Sequence, residues 1–218
     1  TDEAPIFTSG TAASFAENAS GTVYTAAATD PDAGSTITYS IAGADAALFD
    51  INATTGAITF KSSPNYEAPG DAGGDNVYDV IVSATDGVNV TTNAVAITVT
   101  NVNEAPTVTS AATASFAENG SGTVYTAAAT DPDAGATLTY SISGADAALF
   151  NINATTGAVT FKSSPNYEAP GDAGGNNIYE VNIAAFDGVN TTTKLITVHV
   201  TDVDEGANAA PTWQHSEP

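Results

Sequence analysis

Arginine and cysteine are absent from these 218 residues, and only three lysines, Lys61, Lys162 and Lys194, stand against 25 aspartates and glutamates. The missing cysteine removes disulfides and thiolate metal sites. The missing cations, with a net charge of −22, exclude nucleic acid and anionic membrane as partners. No apolar run approaches the length of a membrane span and no signal peptide stands at the start, so the chain reads as an excised soluble piece of something longer. Such an excess of acid repels itself in any compact state unless cations are bound.

What is present in quantity is small and polar: alanine, threonine, glycine and serine, the palette of slender β-structure with a thin core. A shift of 101 residues lays residues 15–70 on 116–171 with six differences in 56 positions, half of them Ile/Leu, Ile/Val and Ala/Gly exchanges. The later parts have drifted further, "DNVYDVIVSATDGVN" against "NNIYEVNIAAFDGVN". The chain is therefore a tandem duplication. Its expected division is a first module over 1–101, a second over 102–205, a linker at about 101–106, and a tail or remnant of added sequence over 206–218.

Within a module the apolar period is two. Tyr78, Val80, Val82 and Ala84 share one face of an alternating run; Ile37, Tyr39 and Ile41 form another, and Val95, Ile97 and Val99 a third. Turn clusters "DPDAGS", "ATTGA", "APGDAGGDN" and "TDGVN" separate the runs. About seven strands per module at this spacing predict an all-β chain of two tandem Ig-like Greek-key sandwiches. The segment "GADAALFDI" predicts one short helical turn.

The acidic motifs are unremarkable one at a time. "DPDAG" (Asp30, Asp32; Asp131, Asp133) is a good β-turn, and "FAEN" (Glu17; Glu118) reads as a charged sheet edge. "NYE" (Asn65, Glu67; Asn166, Glu168) and "DG" (Asp86; Asp187) are ordinary loops. The segment "DAGGDN" is most simply a flexible surface loop, with Asp71 and Asp75 offering a weak additional cation site. As a set they say more. Turns of an antiparallel sandwich gather at two ends, so "FAEN", "NYE" and the closing "NVNEAP" fit the base of one module, and "DPD" and "DG" the head of the next. End-to-end stacking would gather Glu17, Glu67, Glu104, Asp131, Asp133 and Asp187. Calcium suits such a set, since it takes about six to eight oxygens from carboxylates, amides and backbone carbonyls. Three divalent ions would balance these six acids.

The order Glu-Asn, Asp-x-Asp, Asx-x-Glu, Ala-x-Asp-Gly and Asx-x-Asn-acid before proline resembles the cadherin repeat. The form with "NYEAPGDAGGDNVYDV" is similar to cadherin-like repeats of large bacterial surface and secreted proteins. The resemblance covers residues 1–205, twice over. It implies calcium between successive repeats, with Glu17 and Glu67 bridging two ions and Asn65 beside them. Asn101, the Val102 carbonyl and Glu104 would complete these sites, with Asp133 reaching across from the second module. Asn103 would hold a third ion with Asp131, Asp133 and Asp187.

The two ends would carry half-sites: Asp2, Glu3, Asp30, Asp32 and Asp86 at the first, and Glu118, Asn166, Glu168, Asp202, Val203, Asp204 and Glu205 at the second. Asn65, Asn101 and Glu104 stand where the family usually has Asp. The N-terminal tryptophan of animal adhesive cadherins has no counterpart, the one Trp being Trp213.

The resemblance implies an extracellular, calcium-rigidified spacer or adhesion segment of a bacterial surface or secreted protein. Its partners are the neighbouring repeats, without membrane insertion. The alternative is a module that binds polysaccharide or associates with itself, for which Tyr66 and Tyr167 are candidate aromatics. An enzyme is not expected: His199 and His215 have no repeated Ser or Asp companions, and two histidines without cysteine make a poor zinc site. Paired acids for glycoside hydrolysis need an open cleft between them, and a calcium cage accounts for the acids better.

Overall fold

In a computed structural model residues 2–206 are described, and Trp213 and the expected tail beyond Gly206 lie outside them. The chain divides into two compact units, with the boundary between Val102 and Asn103.

In the first unit β1 (Ile6–Phe7), β2 (Ala12–Ala16), β3 (Thr22–Thr25), β4 (Ala28–Thr29) and β5 (Thr38–Ala42) lead to a 3-10 turn at Ala46–Leu48. β6 (Phe49–Ile51), β7 (Ala57–Phe60), β8 (Val77–Thr85) and β9 (Val90–Thr100) follow. One sheet runs β2-β9-β8-β5, a second β3-β7-β6, and β1 pairs with β4. All neighbours are antiparallel except β2 and β9, which run parallel with Ala12 beside Ala96 and Ala16 beside Thr100. The expected seven strands become nine stretches among the described residues because the first two are each broken. The second break has a visible cause. The register of β3 on β7 shifts between Thr22 and Tyr24. Ala26 gives the last bond to β7's side, its N–H to Gly56 O at 2.9 Å, and Ala27 O then takes the N–H of Thr8 at 2.8 Å, so the chain passes from one partner to another.

The alternation read in the sequence is the burial pattern. Tyr78, Val80, Val82 and Ala84 of β8 are 0–2 % exposed, as are Val95, Ile97 and Val99 of β9. Tyr39 of β5 is buried with them, while Ile37 and Ile41 are half-buried. The two sheets are joined at one end by four rings. Phe60 lies 4.3 Å from Phe49, 5.0 Å from Tyr78 edge-on and 5.7 Å from Phe15, centroid to centroid. Phe49 and Phe60 come from the small sheet and Phe15 and Tyr78 from the large one, so the cluster clamps one sheet to the other. Each such pair contributes roughly 0.5–1.5 kcal/mol beyond its buried area.

The second unit repeats the plan with β10 (Thr107–Val108), β11 (Thr113–Ala117), β12 (Thr123–Thr126), β13 (Ala129–Thr130) and β14 (Thr139–Ser143). A 3-10 turn at Ala147–Leu149 precedes β15 (Phe150–Ile152), β16 (Ala158–Phe161), β17 (Ile178–Phe186) and β18 (Thr191–Thr201). Its sheets are β11-β18-β17-β14 and β12-β16-β15, with β11 parallel to β18. Among the described residues no helix is long and apolar enough to cross a membrane.

The break after β3 depends on Gly56. Its φ is +70°, and a Cβ there would sit 2.3 Å from Ala26 O. Left-handed backbone costs a non-glycine residue roughly 1–3 kcal/mol, and here the carbonyl must also move. Gly56→Ala is therefore expected to lower the melting midpoint of the first module by several degrees. The nearby Gly34→Ala, at φ +92° but with open space around it, is expected to cost less. Equal losses would put the cost in backbone strain alone.

Candidate metal centres

Parallel pairing fixes the base of each module. With Ala16 beside Thr100, the next residue of each strand, Glu17 and Asn101, emerge together; Glu17 N–H bonds Thr100 O at 3.0 Å. Glu17 is only 2 % exposed. Its carboxylate accepts the N–H of Tyr66 at 2.8 Å and of Val102 at 2.8 Å, tying the "NYE" loop and the linker to the end of β2. Glu67 brings a carboxylate oxygen within 4.8 Å of one on Glu17. Asn65 turns its Oδ1 onto the N–H of Ala68 at 2.8 Å, which fixes that loop and leaves one lone pair of the oxygen unspent. Asn101 and Val102 are exposed beside them.

The second module builds the same base. Glu118, 2 % exposed, accepts from Tyr167 N–H at 2.8 Å and Val203 N–H at 2.9 Å. Glu118, Glu168 and Asp202 each bring one oxygen within 4.8 Å of the others. The backbone N–H groups of Val203 and Tyr167 hold the Glu118 carboxyl below its ordinary range. Glu168 is pushed up: its own N–H pulls downward, but desolvation and then the charge of Glu118 and Asp202 outweigh it. Asn166 caps Ala169 as Asn65 caps Ala68. Asp204 turns away to the N–H of Gly206, and Glu205 takes the Asn119 amide, so neither joins the three-carboxylate group.

The head of each module is built from two Asx-type turns and the residues that lead into β1 or β10. In the first, Asp30 Oδ1 accepts from Asp32 N–H and Ser35 Oγ, and Asp86 Oδ1 from the N–H of Val88 and Asn89 at 2.7 Å each. Asp32 Oδ2 takes Glu3 N–H at 2.7 Å, and Asn89 Nδ2 donates to Asp2. This leaves Asp30 Oδ2 and Asp86 Oδ2 buried without a hydrogen-bond partner. Desolvation, then the charges of Asp86, Asp32 and Asp30, pushes the Asp2 carboxyl above its ordinary value.

In the second head Asp133 Oδ2 takes Glu104 N–H at 2.8 Å, Asp187 Oδ2 takes Asn103 Nδ2 at 3.0 Å, and Asn190 Nδ2 donates to Asn103 O. Asp131 Oδ2 is buried without a partner. Desolvation raises Asp187, but the N–H groups of Val189 and Asn190 and the Asn103 amide outweigh it and hold the carboxyl low. A buried carboxylate oxygen without a donor is costly; Asp30, Asp86 and Asp131 each present one, and carboxylate oxygens are the donor type of a hard divalent cation.

Two features of the modules were not legible as site residues. Asn89 and Asn190 close "DGVN" and tie the head to Asp2 or Asn103; in sequence that asparagine reads only as a turn residue. Asp45 and Asp146, read as part of a helical turn, are 3 % exposed. Asp45 binds the N–H of Ala72 and of Asp79 at 2.7 Å each, so it staples the following loop to β8. That loop corrects an expectation. Asp71 is buried, and its two oxygens take the N–H groups of Asn76 and Asp75 at 3.0 and 3.1 Å. The "DAGGDN" segment is thus pinned from inside, and Asp71 closes it in place of acting as a free cation ligand. Tyr66 and Tyr167 hold the base through their backbones and are 37 % and 38 % exposed as residues. His199 lies on the outer face near Thr197, with no Ser/His/Asp arrangement around it among the described residues.

Residues 11–103 and 112–201 each match the cadherin domain family. Protocadherin Fat 4 of Mus musculus is 31 % identical over 220 residues, and that of Homo sapiens 28 %. Each comparison covers 91 % of this chain and 4 % of the relative, so the chain spans a small fraction of the curated relatives it matches. Among solved structures, human protocadherin-24 EC1-2 form II superposes with a TM-score of 0.65 at 22 % identity, covering 91 % of this chain and 99 % of that one. Mouse cadherin-23 EC22-24 gives 0.55 at 25 % identity, covering 91 % and 65 %. These likenesses bear out the two tandem sandwiches expected from the sequence.

The two glutamates of a base have opposite duties without metal. Glu118 satisfies backbone donors, while Glu168 is loaded by its neighbours' charge. In chelator, Glu118→Gln is expected to lower the melting midpoint of the second module, because an amide cannot accept at both positions, and Glu168→Gln to raise it. A fall for both variants would remove this distinction.

Proposed function

Because the chain belongs to the cadherin family, we propose that it is a calcium-rigidified stretch of extracellular adhesion or spacer repeats, with calcium held where one repeat joins the next. Cadherin repeats are adhesion modules and not enzymes, in keeping with the absence of any repeated catalytic set in the sequence. The observation that carries the reading is the division of labour in residues 101–104. Val102 N–H is spent on Glu17 of the first module, and Glu104 N–H, two residues on, is spent on Asp133 of the second. Each half of the linker is thus tied to its own module, and the Asn101 and Asn103 amide oxygens and the Val102 carbonyl are of the donor type that calcium takes.

The residues that would hold the ions are Glu17, Glu67 and Asn101 with the Val102 carbonyl on one side. Asn103, Glu104, Asp131, Asp133 and Asp187 serve on the other, with Asn65 beside the first group. Calcium supplies positive charge against carboxylates that otherwise repel. Glu17 and Glu118 already hold their loops through backbone bonds, so little chain ordering is left for binding to impose. Asp30 and Asp86 with Asp2, and Glu118, Glu168 and Asp202, are the corresponding half-sites toward neighbouring repeats. In this reading the parent is a surface or secreted protein, bacterial by the form of its "NYEAPGDAGG" segment, and the repeats' first partners are one another.

Two measurements test this. Metal that binds only the folded chain adds RT ln(1 + [L]/Kd), about 2.7 kcal/mol at a hundredfold excess over Kd, so millimolar calcium should raise the melting midpoint by several degrees over chelator. Small-angle scattering should show a narrower distribution of maximum dimension in calcium. Asp133→Ala should remove that narrowing while each sandwich stays folded, because Asp133 belongs to no core. An unchanged midpoint in calcium would sink the metal reading; an unchanged scattering profile would sink the rigid junction.

A further inference from the structure

Each module carries the same cleft beside the strand that ends at Phe60 or Phe161, one edge of it formed by the Asn65 or Asn166 that adjoins the base. Its volume is about 280 Å3 in the first module and about 270 Å3 in the second. The floor of the first is apolar, from Leu48 and Phe60, and the rim is polar, from Lys61, Ser62, Ser63 and Asn65. Among the described residues no carboxylate lines either copy, although the chain has 25 acids. Lys61 is the only Lys, Arg or His in residues 1–102. Its ammonium is tethered to Ala47 O at 2.8 Å, and Lys162 to Ala148 O at 2.7 Å. The scarcest charge in the chain is thus spent on a backbone carbonyl at the mouth of a cleft, and of its three N–H donors two are left over.

We propose that this cleft is a binding site for a uronic-acid unit of an acidic saccharide, one per repeat. Three properties of the ligand follow from the lining. A volume just below the usual range for small-molecule pockets, which begins at about 300 Å3, takes a single ring. Serine hydroxyls and an asparagine amide above a phenyl ring suit a ligand with hydroxyls at its edge and C–H groups on its face. The unpaired ammonium, with carboxylates excluded from the wall, suits one anionic group. In the second module a smaller hollow of about 170 Å3 shares Phe161, Lys162 and Ser164 with the cleft and is finished by Gly120, Ser121 and Gly122, which gives an adjoining sugar room on the far side of the lysine. Long-range repulsion from the rest of the chain is no bar, since exposed charges are screened beyond about 8 Å at physiological salt.

The site shares only Asn65 and Asn166 with the calcium reading, and its test is run in chelator so that either can fail alone. The whole chain is titrated with D-glucuronate, D-glucose and acetate while backbone amide resonances are followed. Glucuronate is expected to shift residues 61–65 and 162–166, with glucose and acetate each weaker by about tenfold, the worth of one charge-assisted hydrogen bond. The Lys61→Gln/Lys162→Gln double variant should weaken glucuronate by a similar factor at an unchanged melting midpoint. Glucose binding as well as glucuronate would overturn the role of the lysine, and acetate binding as well would overturn the ring. No shift at these residues, or shifts confined to the acidic ends, would overturn the site. The three-ligand comparison on the unaltered chain decides the matter even where the double variant melts lower.

Discussion

A single buried glutamate at the end of a parallel strand pair organises each module's functional end. Antiparallel strands would send the residues after β2 and β9 in opposite directions; the parallel register sends Glu17 and the linker out side by side. Once there, the carboxylate is surrounded by backbone donors that have no other partner, and it takes two of them, from Tyr66 and Val102. Hydrogen bonds to an ionised acceptor are the stronger kind, so the charge is retained in a nearly buried position. The same bonds fix the backbone of the "NYE" loop, which sets Glu67 beside Glu17, and fix the first half of the linker. Everything else at the base is placed by consequence.

The fold was largely legible because its signal is repeated and of period two. Tyr78 to Ala84 and Val95 to Val99 are buried as the alternation required, and "GADAALFDI" contains its short turn at Ala46–Leu48. The broken early strands were not legible. The second break sits where Gly56 and Ala26 approach within a distance that no side chain tolerates, a tertiary contact over 30 positions in the chain. The site residues were visible as residue types, and what the sequence could not weigh was their internal hydrogen bonding. Asp71 looked like a free ligand and is a loop closure. Asp45 looked like a turn residue and is a buried staple. Both are aspartates near glycine; only the N–H groups that the fold turns toward them tell the two uses apart.

Comparison of equivalent positions shows how the charge of such ends is adjusted without altering their frame. The linker "NVNE" at 101–104 carries one acid, whereas "DVDE" at 202–205 carries three. The frame is the same in both: Val102 N–H is taken by Glu17 and Val203 N–H by Glu118. Asp2 and Asn103 are likewise equivalent, and each is tied to the asparagine of "DGVN". Replacing a carboxylate by an amide keeps an oxygen donor and removes a charge. Without metal this reduces the repulsion that pushes Glu168 and Asp2 upward in their fully charged surroundings; with metal it reduces the attraction as well. The two linkers thus share one backbone arrangement but differ in how far their electrostatics depend on a cation. Under the proposed calcium occupancy, the low-charge version between the two modules would lose less when the cation leaves, and the high-charge version at 202–205 would gain more from one. Near-identical repeats would in this way form junctions of unequal calcium demand through two Asn-for-Asp exchanges, at 101/202 and 103/204.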